Sequence, residues 1–127
     1  MLGSASEGAW LELFASVNRW NEREGRPRLS VDFDNLASKV LNAQNTVYGF
    51  PGFKAIAQEA DIPLTTFKGL VAEYDYLREF RNFAAHFDTT ENFDLSYPVV
   101  AGLFMRCTDY FSRIYRLKRA IDGARGA

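Results

Sequence analysis

Arg81, Asn82 and His86 fall within six residues of one another in the stretch YLREFRNFAAHFD (residues 76–88), and His86 is the only histidine in the chain. Histidine titrates near neutrality, so it can take up and release protons at ordinary pH. Arginine stays charged and forks onto oxyanions. An asparagine beside them can hold an acceptor or orient the imidazole. The combination suits proton transfer next to a developing negative charge.

The spacing constrains what the three can do. At about 100° per residue, Asn82 and His86 share one helix face and Arg81 lies on its flank. The five-residue step from Arg81 to His86 is wrong for an in-line metal pair. It suits two groups converging on one ligand where a helix ends or bends. A plainer role fits the same residues: a histidine near a helix C-terminus meets the dipole favourably, Asn82 can cap, and an arginine can snorkel from an apolar face.

The surrounding pattern supplies the elements that must hold these groups. Trp10, Leu13, Phe14, Val17 and Trp20 recur at helical spacing between Ser6 and Glu24, with Ser4 and Glu7 as a capping box and EGRP as a stop. A second helix is expected from about Asp34 to Tyr48, turning Leu36, Val40, Leu41 and Val47 inward, capped by Asp32 or Asp34 and broken at Gly49. Residues 54–60 should form one or two helical turns closed by Asp61 and Pro63. Thr65 or Thr66 can then cap a long helix whose stripe is Phe67, Leu70, Val71, Tyr74, Leu77, Phe80 and Ala84. This stripe runs straight into the Arg81–His86 stretch.

The polar run DTTENFDL reads as a loop, and Ser96 followed by Pro98 as a helix start. The last helix carries Val99, Val100, Leu103, Phe104, Cys107, Tyr110, Phe111, Ile114, Leu117 and Ile121 to a stop at Gly123. Four substantial helices and no strand predict an all-α fold, an antiparallel four- to five-helix bundle forming one domain over residues 1–127.

Composition agrees. The chain has 127 residues, 47% of them apolar and 15% aromatic, enough for a core of its own. A net charge of -1 argues against coating nucleic acid by bulk electrostatics, so any polyanion site must be local. Cys107, the sole cysteine, excludes an intrachain disulfide and is expected to pack, in a reducing, cytoplasmic setting. No apolar run is long enough to cross a bilayer, so a soluble protein without membrane partners is expected. No His/Asp/Glu cluster stands at ligand spacing, so neither metal nor other cofactor is expected.

The run LREFRNFAAHF resembles the signature of the HEPN superfamily: Arg, four to six residues, then His, with Asn after the Arg and small apolar residues before the His. Here these are Arg81, Asn82, then Phe83, Ala84 and Ala85, then His86. The likeness is confined to roughly residues 74–88. It implies a four- or five-helix fold that dimerises so that two Arg–His motifs face each other. Many members are metal-independent endoribonucleases, among them toxins and phage-defence effectors, and others only bind a nucleotide or protein partner. The resemblance thus implies a catalytic set of Arg81, Asn82 and His86, an RNA rather than DNA substrate, and an antitoxin or regulatory partner. A modified-tyrosine variant, His-x-Tyr, is not matched, because Asp88 occupies that position.

Such a reaction needs a base for the 2′-hydroxyl, an acid for the leaving oxygen and a cation for the phosphorane. One histidine serves poorly as both acid and base, which favours a homodimer. Six carboxylates between residues 73 and 94 oppose phosphate binding there. Compensating cations lie on the last helix at Arg106, Arg113, Arg116, Lys118 and Arg119, of which Arg113 and Arg116, with Arg78 near the motif, are the candidate RNA contacts.

Overall fold

A computed structural model describes residues 2–87 and 97–124, and the side chains of residues 5–79 and 107–124. These residues form six helices: α1 (Leu2–Arg23), α2 (Leu36–Leu41), α3 (Ala43–Thr46), α4 (Phe53–Glu59), α5 (Leu64–Phe87) and α6 (Tyr97–Gly123). No strand occurs among the described residues. The expected DTTENFDL loop and the Ser96 cap lie outside them.

Helix α1 is the central element, packing on α6 along most of its length and on α5. Trp10 sits at its middle, fully buried, with its ring edge-on to Phe67 and Tyr74 of α5 at 6.1 and 6.2 Å. A second aromatic cluster joins Trp20 to Phe50 and Phe53, and Tyr48 links it to Phe67 at 5.2 Å. Of the inward stripes read from the sequence, Phe67, Leu70, Tyr74 and Leu77 on α5 and Cys107, Tyr110, Ile114, Leu117 and Ile121 on α6 are buried, while Val71 and Phe111 are half-buried at the edge of the core.

Helix directions follow from side-chain pairs. Ser6 meets Tyr110 near the start of α1, and Arg19 meets Asp122 near its end, so α1 and α6 run the same way. Helix α5 opposes α6: Glu73 and Tyr110 line one cleft, and with parallel helices Phe87 and Tyr97 would lie about 40 Å apart, beyond the roughly 35 Å that ten residues can span. The antiparallel relation therefore holds between α5 and α6 but not between α1 and α6.

Several local expectations are corrected. Helix α1 already includes Ser4, which is therefore not a cap, and Ser6 is buried against Tyr110. The second expected helix is broken at Asn42, whose Nδ2 donates to the Ser38 carbonyl at 2.8 Å while its N–H bonds the same oxygen. This local competition for a backbone acceptor splits α2 from α3. Asn35, not Asp32 or Asp34, is the N-cap of α2, and it exchanges backbone-to-side-chain bonds with Asp32 at 2.9 and 3.0 Å. Leu41, expected inside, is 45% exposed. At α5 the chain enters through Pro63, whose carbonyl accepts from Phe67, so Thr65 and Thr66 lie within the first turn.

Two buried amides tie the long connection after α1 to that helix. Asn18 Nδ2 donates to the Leu29 carbonyl at 3.0 Å, and Leu29 N–H donates back to Asn18 Oδ1 at 2.7 Å. Arg26 stacks over Trp20, 4.2 Å from its ring centroid, and its Nε bonds Asn21 Oδ1. Gly25, at φ 73, makes the reversal that the EGRP stop requires.

Candidate functional site

The long stripe that buries α5 against α1 carries the helix on to Phe87, which places Arg81, Asn82 and His86 in its last two turns. Along that helix the step from Arg81 to His86 is about 7.5 Å of rise and about 140° of turn, and Asn82 to His86 is about 40°. Their side chains lie outside the described residues.

Arg78 stands one turn before Arg81. Its Nη2 donates to Asp75 Oδ1 at 3.0 Å, an ion pair between neighbouring turns of α5. Its Nε is buried with no acceptor among the described residues. Asp75, one of the carboxylates near the motif, is thus matched by Arg78. The Tyr74 hydroxyl beside this pair is pushed up by burial, with Arg78 pulling it down and Asp75 raising it.

Between α5 and α6 lies an open cleft of about 300 Å³, lined by Thr66, Gly69, Glu73, Asp109, Tyr110 and Arg113 among others. Its floor is Tyr110, whose hydroxyl accepts from Trp10 Nε1 at 2.7 Å and shares a hydrogen with Ser6 Oγ at 2.6 Å. Burial raises the Tyr110 pKa far above its ordinary value, only partly offset by the bonds from Ser6 and Trp10, so the phenol stays protonated. Sequence reasoning did not find this buried trio. The cleft's contributors repeat at three- and four-residue steps on each helix, which is a signal only once the helices are known to be neighbours.

Arg113 and Arg116 are both exposed on α6. Arg113 shares the cleft with Gly69, and Arg81 is twelve residues further along α5, about 18 Å. The fold therefore brings Arg113 to the lower part of the hairpin and does not bring it beside Arg81 of the same chain. Arg113, Arg116 and Arg119 carry no acidic partner among the described residues, whereas Lys118 is bonded to Asp122 at 3.0 Å.

Asp122 also accepts from Arg19 at 3.0 Å. Partial burial pushes its carboxyl up, but hydrogen bonds from Lys118, Arg19 and Ser16 outweigh this and hold it below the usual range. Among the described residues no group of three His, Cys, Asp or Glu side chains could hold a metal ion, and no helix is long and apolar enough to cross a membrane. No family model, curated protein or solved structure matches this chain.

Proposed function

We propose that this protein is a HEPN-like, metal-independent endoribonuclease of a toxin or phage-defence type, working as a homodimer with Arg81, Asn82 and His86 of both chains around one scissile phosphate. The observation that supports it is the spacing Arg81–Asn82–x3–His86 at the end of the long helix α5 of an all-helical domain. His86 of one chain takes the 2′-hydroxyl proton, and the partner's His86 protonates the leaving oxygen. Arg81 stabilises the charge on the phosphorane, and Asn82 orients the imidazole or holds a phosphate oxygen.

A non-catalytic module binding a nucleotide or protein is the second reading. It is favoured by the carboxylates of Glu73 and Asp109 in the cleft below the motif. The two readings part on substitution. On the nuclease reading, His86→Ala lowers cleavage of single-stranded RNA by about 100-fold or more and Arg81→Ala by a comparable factor, with helix content unchanged. A folded His86→Ala protein that cuts RNA as fast as its parent ends the nuclease reading.

A further inference from the structure

Helix α6 carries a run, YFSRIYRLKRAI (residues 110–121), with four cations and no carboxylate, in a chain of net charge -1. Its uncovered arc has a definite order. Taking Tyr115 as origin, successive steps of 100° place Arg119 at about 40°, Arg116 at about 100° and Arg113 at about 160°. Tyr115 lies at the edge facing α1 and Arg113 at the edge facing α5. The three guanidiniums, in no ion pair among the described residues, cross the outer surface of α6 diagonally over about 9 Å of its length, with the Asp109 carboxylate one turn before Arg113 at the α5 edge.

Beside Tyr115, between α1 and α6, runs a groove of about 220 Å³ lined by Ala9, Glu12, Phe111, Ile114, Tyr115 and Lys118. On the order of seven waters would fill it, the space of a flat heteroaromatic ring. Its walls are apolar and aromatic, and a carboxylate and an ammonium stand at its edge. Tyr115 is 58% exposed, the most exposed aromatic ring described on α6, and the Arg119 guanidinium lies 5.8 Å from its centroid.

We propose that the groove beside Tyr115 takes one base of a single-stranded nucleic acid, stacked on the tyrosine ring, while its phosphates follow Arg119, Arg116 and Arg113 across α6. An aromatic platform at the head of a basic track is how strands are held without sequence readout, each part supplying what the other lacks. A free mononucleotide would use the groove and one arginine, leaving the rest of the track idle. An acidic peptide would use the arginines and leave the ring idle. A membrane surface would need a broad apolar face, and here Asp109, Ser112, Arg113, Arg116 and Arg119 occupy the exposed arc beside Tyr115. Glu12 at the groove edge disfavours a phosphate there and suits the amino group of a base.

This deepens the ribonuclease reading by naming the surface that holds the strand, and it rests on that reading only for the choice of RNA over DNA. The test is binding of a labelled, uncleavable 2′-O-methyl RNA octamer to the full chain, followed by fluorescence anisotropy over a salt series. Tyr115→Ala should weaken binding by about fivefold or more, while Tyr115→Phe, which keeps the ring, stays close to the parent. Arg113→Gln, Arg116→Gln and Arg119→Gln should each flatten the slope of log K against log salt by about 0.7. The proposal is overturned if the parent does not bind the octamer, if Tyr115→Ala binds as tightly as the parent, or if a blunt duplex or an oligoglutamate competes as well as the octamer itself. A DNA octamer bound as well as RNA upholds the surface and counts against an RNA-specific enzyme. Tyr115-dependent binding in a protein that cleaves no RNA likewise upholds the surface and sinks the nuclease.

Discussion

Trp10 and Tyr110, a hundred positions apart in sequence, meet through a 2.7 Å hydrogen bond from the indole nitrogen to the phenol oxygen, and Ser6 closes the group at 2.6 Å. All three residues are buried, so the bond joins the first part of α1 to the middle of α6 where water cannot substitute. Removing the phenol oxygen leaves two polar groups stranded. Tyr110→Phe should cost about 1–3 kcal/mol of stability. Urea unfolding should show a lower midpoint at unchanged slope. Adding Ser6→Ala should recover part of the loss, since one stranded group is then gone.

Asp122 gives the stability a pH dependence of known sign. Its carboxyl is held below its unfolded value, so the contribution is fully present above the unfolded pKa of about 3.9 and lost as pH falls through the lower folded value. Asp122→Asn should therefore destabilise the protein at pH 7, by about 0.5–1 kcal/mol given the partial exposure of the Lys118 and Arg19 pairs. The gap between variant and parent should narrow as pH falls below about 3.9. A gap that is constant from pH 7 to pH 2 would contradict the assignment.

Two glycines should respond to alanine with opposite signs. Gly69 lies inside α5, and a Cβ there meets nothing within 4 Å, so Gly69→Ala should stabilise by about 0.5–1 kcal/mol. Gly52, ahead of α4, has φ 85, which an alanine adopts only under strain. Gly52→Ala should lower the melting temperature where Gly69→Ala raises it.

If the Arg81–His86 site is shared, the protein should be a dimer at micromolar concentration by light scattering. Mixing Arg81→Ala and His86→Ala chains should restore part of the cleavage that each lacks alone. Restoration in excess EDTA, with a 2′,3′-cyclic phosphate on the product, would exclude a dependence on magnesium.

The long helices were legible because an apolar stripe three and four residues apart persists over many turns, as from Phe67 to Leu77, and no local choice outweighs it. The break at Asn42 was not, because periodicity does not say whether an asparagine will prefer the carbonyl of Ser38 to solvent. The exposure of Leu41 follows from that break. At the site, residue types and spacing on α5 could be read directly, whereas Tyr115 acquires its place only when α1 covers one flank of α6 and leaves the ring at the rim. The engagement of Arg78 by Asp75 is a neighbour effect within one helix, and either rotamer satisfied the sequence.

Helix α1 is made before α6, yet most of its buried face is covered by that helix, which emerges about a hundred residues later. Until then Trp10, Leu13 and Val17 have no complete partner surface, and the nascent chain must carry an open apolar stripe through the making of α2 to α5. Loop closure between elements so far apart makes folding a late, single event rather than a progressive one. A chain released before α6 would hold every residue of the Arg81–His86 motif and still lack a folded body to present it. On the ribonuclease reading proposed above, this order of helices would withhold activity until α6 is made.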